Sequence, residues 1–252
     1  MRNSKKALKF ALTLIPIAVV AGIFIAIYQM ETMPVEIMTD AIAEIGGKGI
    51  LILITALQTV LYALFCGFFG YILAAKTGLW KPAKIEKKPL VTTFIISLVG
   101  GILFSLDYWV FGSLLEPVKL YYAAPITAHA FIASVIYGGV IEEIMLRLFF
   151  MSLISMLLWK IFCRKKSKAE IPYWVFPVAN IIAALVFAAG HLPATIALFG
   201  ELTPLILLRC FLLNGSFGLI FGRLYRKYGI IYAMIAHAMF HVVSKVIWLI
   251  FI

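Results

Sequence analysis

Apolar runs long enough to span a bilayer, ~20 residues each, recur seven times along the chain, near residues 10–28, 50–75, 90–111, 127–162, 174–199, 205–224 and 230–252. No other feature restricts the fold as much. In hydrocarbon every backbone N–H and C=O must be paired within the protein, so spanning runs are helices or the strands of a closed barrel. Barrel strands alternate apolar and polar residues, and these runs do not. The expectation is an all-α, polytopic transmembrane bundle of about seven helices. Composition agrees: of 252 residues, 64% are hydrophobic and only 13% charged, against about a quarter charged in a soluble domain.

The net charge of +11 would suggest a nucleic-acid partner in a soluble protein. Here its placement argues otherwise. Lysines and arginines gather at the N-terminus (Arg2, Lys5, Lys6, Lys9) and in three connections: Lys76–Lys88, Lys160–Lys168 and Arg223–Lys227. If seven helices alternate, all four segments fall on one side of the membrane. The other side carries Glu31, Glu36, Asp40, Glu44, Glu116 and Glu201. That asymmetry predicts a cytoplasmic N-terminus and an outside C-terminus. The partner of the basic loops is then the lipid bilayer, with no nucleic acid, in a multi-pass protein of a bacterial plasma membrane. The first run has a basic flank but no small-residue cleavage site before Gln29, and reads as a retained anchor. Three cysteines, Cys66, Cys163 and Cys210, form no disulfide framework. Oligomeric state leaves no signal in the sequence.

Ionisable groups within membrane helices are costly and mark functional positions. Asp107, Arg209 and Lys245 sit near the outer ends of their runs, where side chains are expected to snorkel to the interface. His129 reads as an interfacial residue, and Gln58 and Asn180 as bonding across helices. Six deep groups remain: Glu142, Glu143, Arg147, His191, His237 and His241. Glu143 and Arg147, four apart, are expected to pair. Glu142 is rotated ~100° away, has no sequence-local cation, and is suited to taking a proton from water. Gly190 and Pro193 flank His191 and should break the fifth helix, turning the imidazole into a cavity. His237 and His241 share one helix face, placed either to donate hydrogen bonds to an oxyanion or to bind a metal. The residues alone fit catalysis, metal binding, or an interhelical lock.

Glu142-Glu143-Ile-Met-Leu-Arg147 resembles the EExxxR motif of the CAAX-protease and bacteriocin-processing (CPBP, or Abi) family, which includes the type II CAAX prenyl endopeptidases. Phe187-Ala-Ala-Gly-His191 resembles its second motif, FxxxH, and His237-Ala-Met-Phe-His241 stands where its third, HxxxN, is expected. The glycine-spaced run Gly215…Gly218…Gly222 is similar to the family's small-residue helix. The resemblance covers roughly residues 126–246. It divides the chain into three N-terminal helices with a basic loop (1–125, loop 76–89) and four catalytic helices (126–252), within one integral membrane domain.

The resemblance implies an intramembrane endopeptidase acting on a membrane-associated, lipidated or peptide substrate. Glu142 would activate water with His191, Glu143 and Arg147 would support the site, and His237 and residue 241 would stabilise the oxyanion. Two positions depart from the pattern. His241 replaces Asn, which brings in a divalent metal, zinc, held by Glu142, His191, His237 and His241. Leu148 stands where Gly is usual. The site is expected in a wet cavity among the last four helices, open toward the cytoplasm. Two further readings are a non-enzymatic immunity or scaffold protein that binds a peptide or partner, and an ion or proton conduit.

Overall fold

The computed structural model describes residues 2–252, and their regular structure is helical throughout. Ten helices follow in order: α1 (Arg2–Thr13), α2 (Ile15–Thr32), α3 (Val35–Glu44), α4 (Lys48–Thr77), α5 (Lys87–Val110), α6 (Glu116–Ala123), α7 (Ala128–Phe162), α8 (Val175–Phe199), α9 (Pro204–Tyr228) and α10 (Ile230–Phe251). Seven of them, α2, α4, α5, α7, α8, α9 and α10, are long and apolar enough to cross a membrane. The predicted number of spans therefore holds, and the protein is an integral, multi-pass membrane protein.

The first span differs from expectation. It runs over Ile15–Thr32 rather than 10–28, because the chain breaks at Leu14 just ahead of Pro16. Proline lacks an N–H and suits a first helical turn, so it resets the helix there. Phe10 falls in α1 and packs on Tyr71 and Trp80. The short helices α3 and α6 were not anticipated. Both lie at the end of the bundle away from the basic loops.

Hydrogen bonds tie the basic segments together. Lys168 Nζ donates to the Ala75 carbonyl (2.8 Å), and Lys81 Nζ to the Lys227 carbonyl (2.6 Å). The Tyr232 hydroxyl accepts from the Glu86 N–H (2.7 Å) and donates to the Lys84 carbonyl. These segments sit at one end of the bundle, as the alternation predicts. Glu31 meets Thr127 and His129 at the other.

Lipid supplies no hydrophobic drive between helices, so close approach and polar bonds set the packing. On α7, Gly139 faces Ala238 of α10 so closely that a Cβ would lie 3.0 Å from the Ala238 Cα. On α9, Gly222 leaves the space that the Asn180 amide fills, and Asn180 Nδ2 donates to the Leu219 carbonyl (2.9 Å), bonding across helices as expected. Gln58, by contrast, donates to Tyr62 on its own helix. Leu148, the departure from the family glycine, is fully buried against Gly70 of α4, so the small residue sits on the opposite helix. Ser97 bonds the Ala236 carbonyl and joins α5 to α10 (3.2 Å). Tyr225 and Ser152 join α9 to α7 (2.8 Å).

Candidate active site

The six deep polar residues meet where α7, α8, α9 and α10 converge. Within α7, residues Ser134–Met151 wind as a π-helix with i→i+5 hydrogen bonds, a geometry that recurs at functional sites. A second π-helical turn, Phe211–Gly215, lies in α9. Both line one cavity of about 640 Å³.

Glu143 and Arg147 face away from that cavity into the protein and are wholly buried, with Arg147 Nη1 3.0 Å from Glu143 Oε1. The pairing predicted from their spacing is present. Its geometry is an ion contact rather than an aligned hydrogen bond, since Arg147 Nη1 and Glu143 Oε2 have no hydrogen-bond partner. The guanidinium is also held by the Gly218 carbonyl (3.3 Å) and lies 4.4 Å from the centre of the Phe187 ring. Phe187, the first residue of the second motif, thus packs on the last residue of the first.

Glu143 has a second partner, His237 Nδ1, at 2.9 Å. A carboxylate only accepts, so Nδ1 carries the proton and donates. The Phe221 ring stacks on the His237 ring (4.4 Å, 19°) and fixes its plane. His237 Nε2 therefore points away from Glu143, 3.9 Å from Glu142 Oε2 and 3.1 Å from His241 Nε2. With His237 neutral, its Nε2 is bare and accepts from the His241 Nε2–H.

Glu142 differs from Glu143 in setting. Its side chain is 22% exposed and lines the cavity, and Glu143's is sealed off. His191 occupies the predicted break: helix Val175–Gly190 ends there and Leu192–Phe199 begins. Its Nδ1 bonds the Phe187 carbonyl at 2.7 Å. A carbonyl only accepts, so Nδ1–H donates and Nε2 is the nitrogen left for the cavity. Gly138 makes room for the imidazole pair, since a Cβ there would lie 3.0 Å from His241 Nε2.

Among the described residues, no three His, Cys, Asp or Glu side chains converge as a metal-ligand group. Glu142, His191, His237 and His241 share the cavity without forming a ligand shell.

Two expectations are corrected. Asp107, Arg209 and Lys245 do not snorkel: they are 2%, 9% and 8% exposed. Arg209 Nε donates to Asp107 Oδ1 at 2.8 Å, its Nη2 bonds Oδ2, and the Tyr122 hydroxyl also donates to Oδ2 at 2.8 Å. Although they lie near helix ends, the short helix α6 caps that end, with Tyr122 bonded to Asp107 and its carbonyl to Trp248. Second, the cavity does not extend toward the basic loops. It is lined by Met33, Tyr121, Leu198, Arg209, Trp248 and Ile252, all in the opposite half of the bundle. Lys245 was legible in hindsight, because His237, His241 and Lys245 recur every four residues on one face.

Comparison with protein families finds that residues 123–243 match the model described as type II CAAX prenyl endopeptidase Rce1-like. Comparisons with curated proteins and with solved structures give no significant match. The matched stretch contains Glu142, Glu143, Arg147, His191, His237 and His241. Residues 123–243 are thus similar to the type II CAAX prenyl endopeptidase Rce1-like family, a family of proteases.

Proposed function

We propose that this protein is an intramembrane endopeptidase that uses Glu142 as its base and cleaves a peptide bond of a membrane-associated or lipidated peptide. One observation carries the reading. Of two adjacent carboxylates, Glu143 is neutralised and sealed, and Glu142 lines a cavity of about 640 Å³ beside imidazole nitrogens.

The chemistry follows from the hydrogen-bond directions. Glu142 takes a proton from a water that His191 Nε2 helps orient, and the resulting hydroxide attacks the scissile carbonyl carbon. The carbonyl π pair moves onto oxygen. His241 Nε2–H turns from His237 to that oxyanion, and Glu143 at Nδ1 holds the His237 ring in place behind it. Collapse breaks the C–N bond, and Glu142 returns its proton to the leaving amine. Glu143 and Arg147 are positioning residues, fixing the tautomer and plane of His237.

The positive-inside pattern supports a bacterial plasma-membrane topology with the basic end in the cytoplasm. The cavity then faces the outer half of the bilayer. The test is Glu142→Gln with a prenylated, internally quenched peptide in nanodiscs. The expected result is loss of cleavage with unchanged thermal stability. Cleavage at the parent rate removes the proposal; a parent protein that binds the peptide and never cuts it leaves the peptide-binding immunity reading in its place.

A further inference from the structure

Lys245 is not used by the chemistry above, and its environment is unusual. It is 8% exposed, within a transmembrane helix, and lines the catalytic cavity one turn beyond His241. A lysine buried in a membrane bundle is costly and normally pairs with a carboxylate. Among the described residues Lys245 has no hydrogen bond and no ion pair. Its Nζ lies 5.5 Å from the centre of the Trp248 ring.

The nearby acid is already committed. Asp107 receives two donors from Arg209 and a third from Tyr122. Arg209 is thereby neutralised, and Lys245 is the ammonium in this half of the cavity with no counter-charge. Glu142 lies at the deep end with the opposite charge. A peptide lying between them with its scissile bond at Glu142 would meet a positive charge at its far end.

We infer that Lys245 is a specificity-determining residue that receives a carboxylate of the substrate, an assignment that rests on the peptidase reading of the same cavity. The separation limits where that carboxylate lies. His241 and Lys245 are about 6 Å apart along α10, and His237 and Lys245 about 12 Å, at ~1.5 Å per residue. An extended peptide advances ~3.3 Å per residue. The carboxylate therefore lies about two to four residues from the scissile bond. It belongs either to the chain terminus or to an acidic side chain.

The test uses one prenylated fluorescent peptide in three forms: C-terminal free acid, C-terminal amide, and amide with a terminal Asp. Binding is read by anisotropy on the full-length Glu142→Gln protein in nanodiscs, and turnover on protein with Glu142 intact. The free acid should bind about 10–100-fold more tightly than the amide, the range of a charge-assisted bond. Lys245→Met should erase the difference and Lys245→Arg should keep most of it, with the effect in KM rather than kcat. Recovery by the terminal Asp assigns recognition to any carboxylate at that distance; no recovery assigns it to the chain terminus. Equal affinity for acid and amide on the Lys245 protein overturns the inference, and that comparison needs no folded Lys245 variant. A preference that survives in Lys245→Met overturns it as well. Cleavage by Glu142→Gln protein instead removes the peptidase mechanism, so the two failures are distinguishable.

Discussion

Arg147→Met tests how the first motif supports the third. In the parent, the two charges are 3.0 Å apart and wholly buried. At an effective dielectric of 20 their attraction is about 5 kcal/mol, much of it offset by the desolvation of both groups. Removing Arg147 alone leaves Glu143 charged, buried and held only by His237, at a cost of about 3–5 kcal/mol. Loss of the stacking of Arg147 on Phe187 adds about 1 kcal/mol. Replacing both partners, Glu143→Gln with Arg147→Met, removes the stranded charge. Glutamine still accepts from His237 Nδ1, so the double variant should be within about 2 kcal/mol of the parent. Unfolding free energies of the four proteins in mixed micelles give the coupling directly. About 2–4 kcal/mol of coupling is expected, and the double variant should be more stable than Arg147→Met alone. Losses that add to within ~0.5 kcal/mol would refute the claim that Arg147 exists to neutralise Glu143.

Gly138→Ala should reduce turnover at least about 10-fold with a small change in stability, because the new Cβ presses on the His241 ring; equal kinetics would show that the imidazole pair is not held against α7. Asp107→Asn should destabilise by about 3–5 kcal/mol in thermal unfolding, because Arg209 loses its bidentate partner; an effect below ~1 kcal/mol would return Asp107 and Arg209 to the interface. Single cysteines at Glu201 and Lys165, in a background lacking Cys66, Cys163 and Cys210, should label with an impermeant maleimide from outside and inside respectively; the reverse pattern would invert the topology.

Much of this arrangement is legible in the sequence. The number of helices follows from seven apolar runs, and the gathering of Lys81, Lys168 and Lys227 at one end follows from alternation. The Glu143–Arg147 pair follows from four-residue spacing, and the break at His191 from its Gly and Pro neighbours. What escaped depends on contacts between distant elements. Nothing local says that Glu143 is shared with His237, 94 residues away. Asp107 and Arg209 read as interfacial because hydropathy measures distance along one helix, whereas α6 folds over that end and excludes lipid and water. The cavity's direction is not legible for a similar reason. It depends on which halves of four helices diverge, and hydropathy carries no such information.

The central claim is that Glu142, and not its neighbour, takes the proton from water. The most direct measurement is the single-turnover cleavage rate of one prenylated peptide by the parent, Glu142→Gln and Glu143→Gln proteins at matched stability. The account predicts that Glu142→Gln falls at least about 10⁴-fold, to background, and that Glu143→Gln falls about 10²-fold and keeps measurable activity. A Glu142→Gln protein that cleaves faster than Glu143→Gln would contradict it.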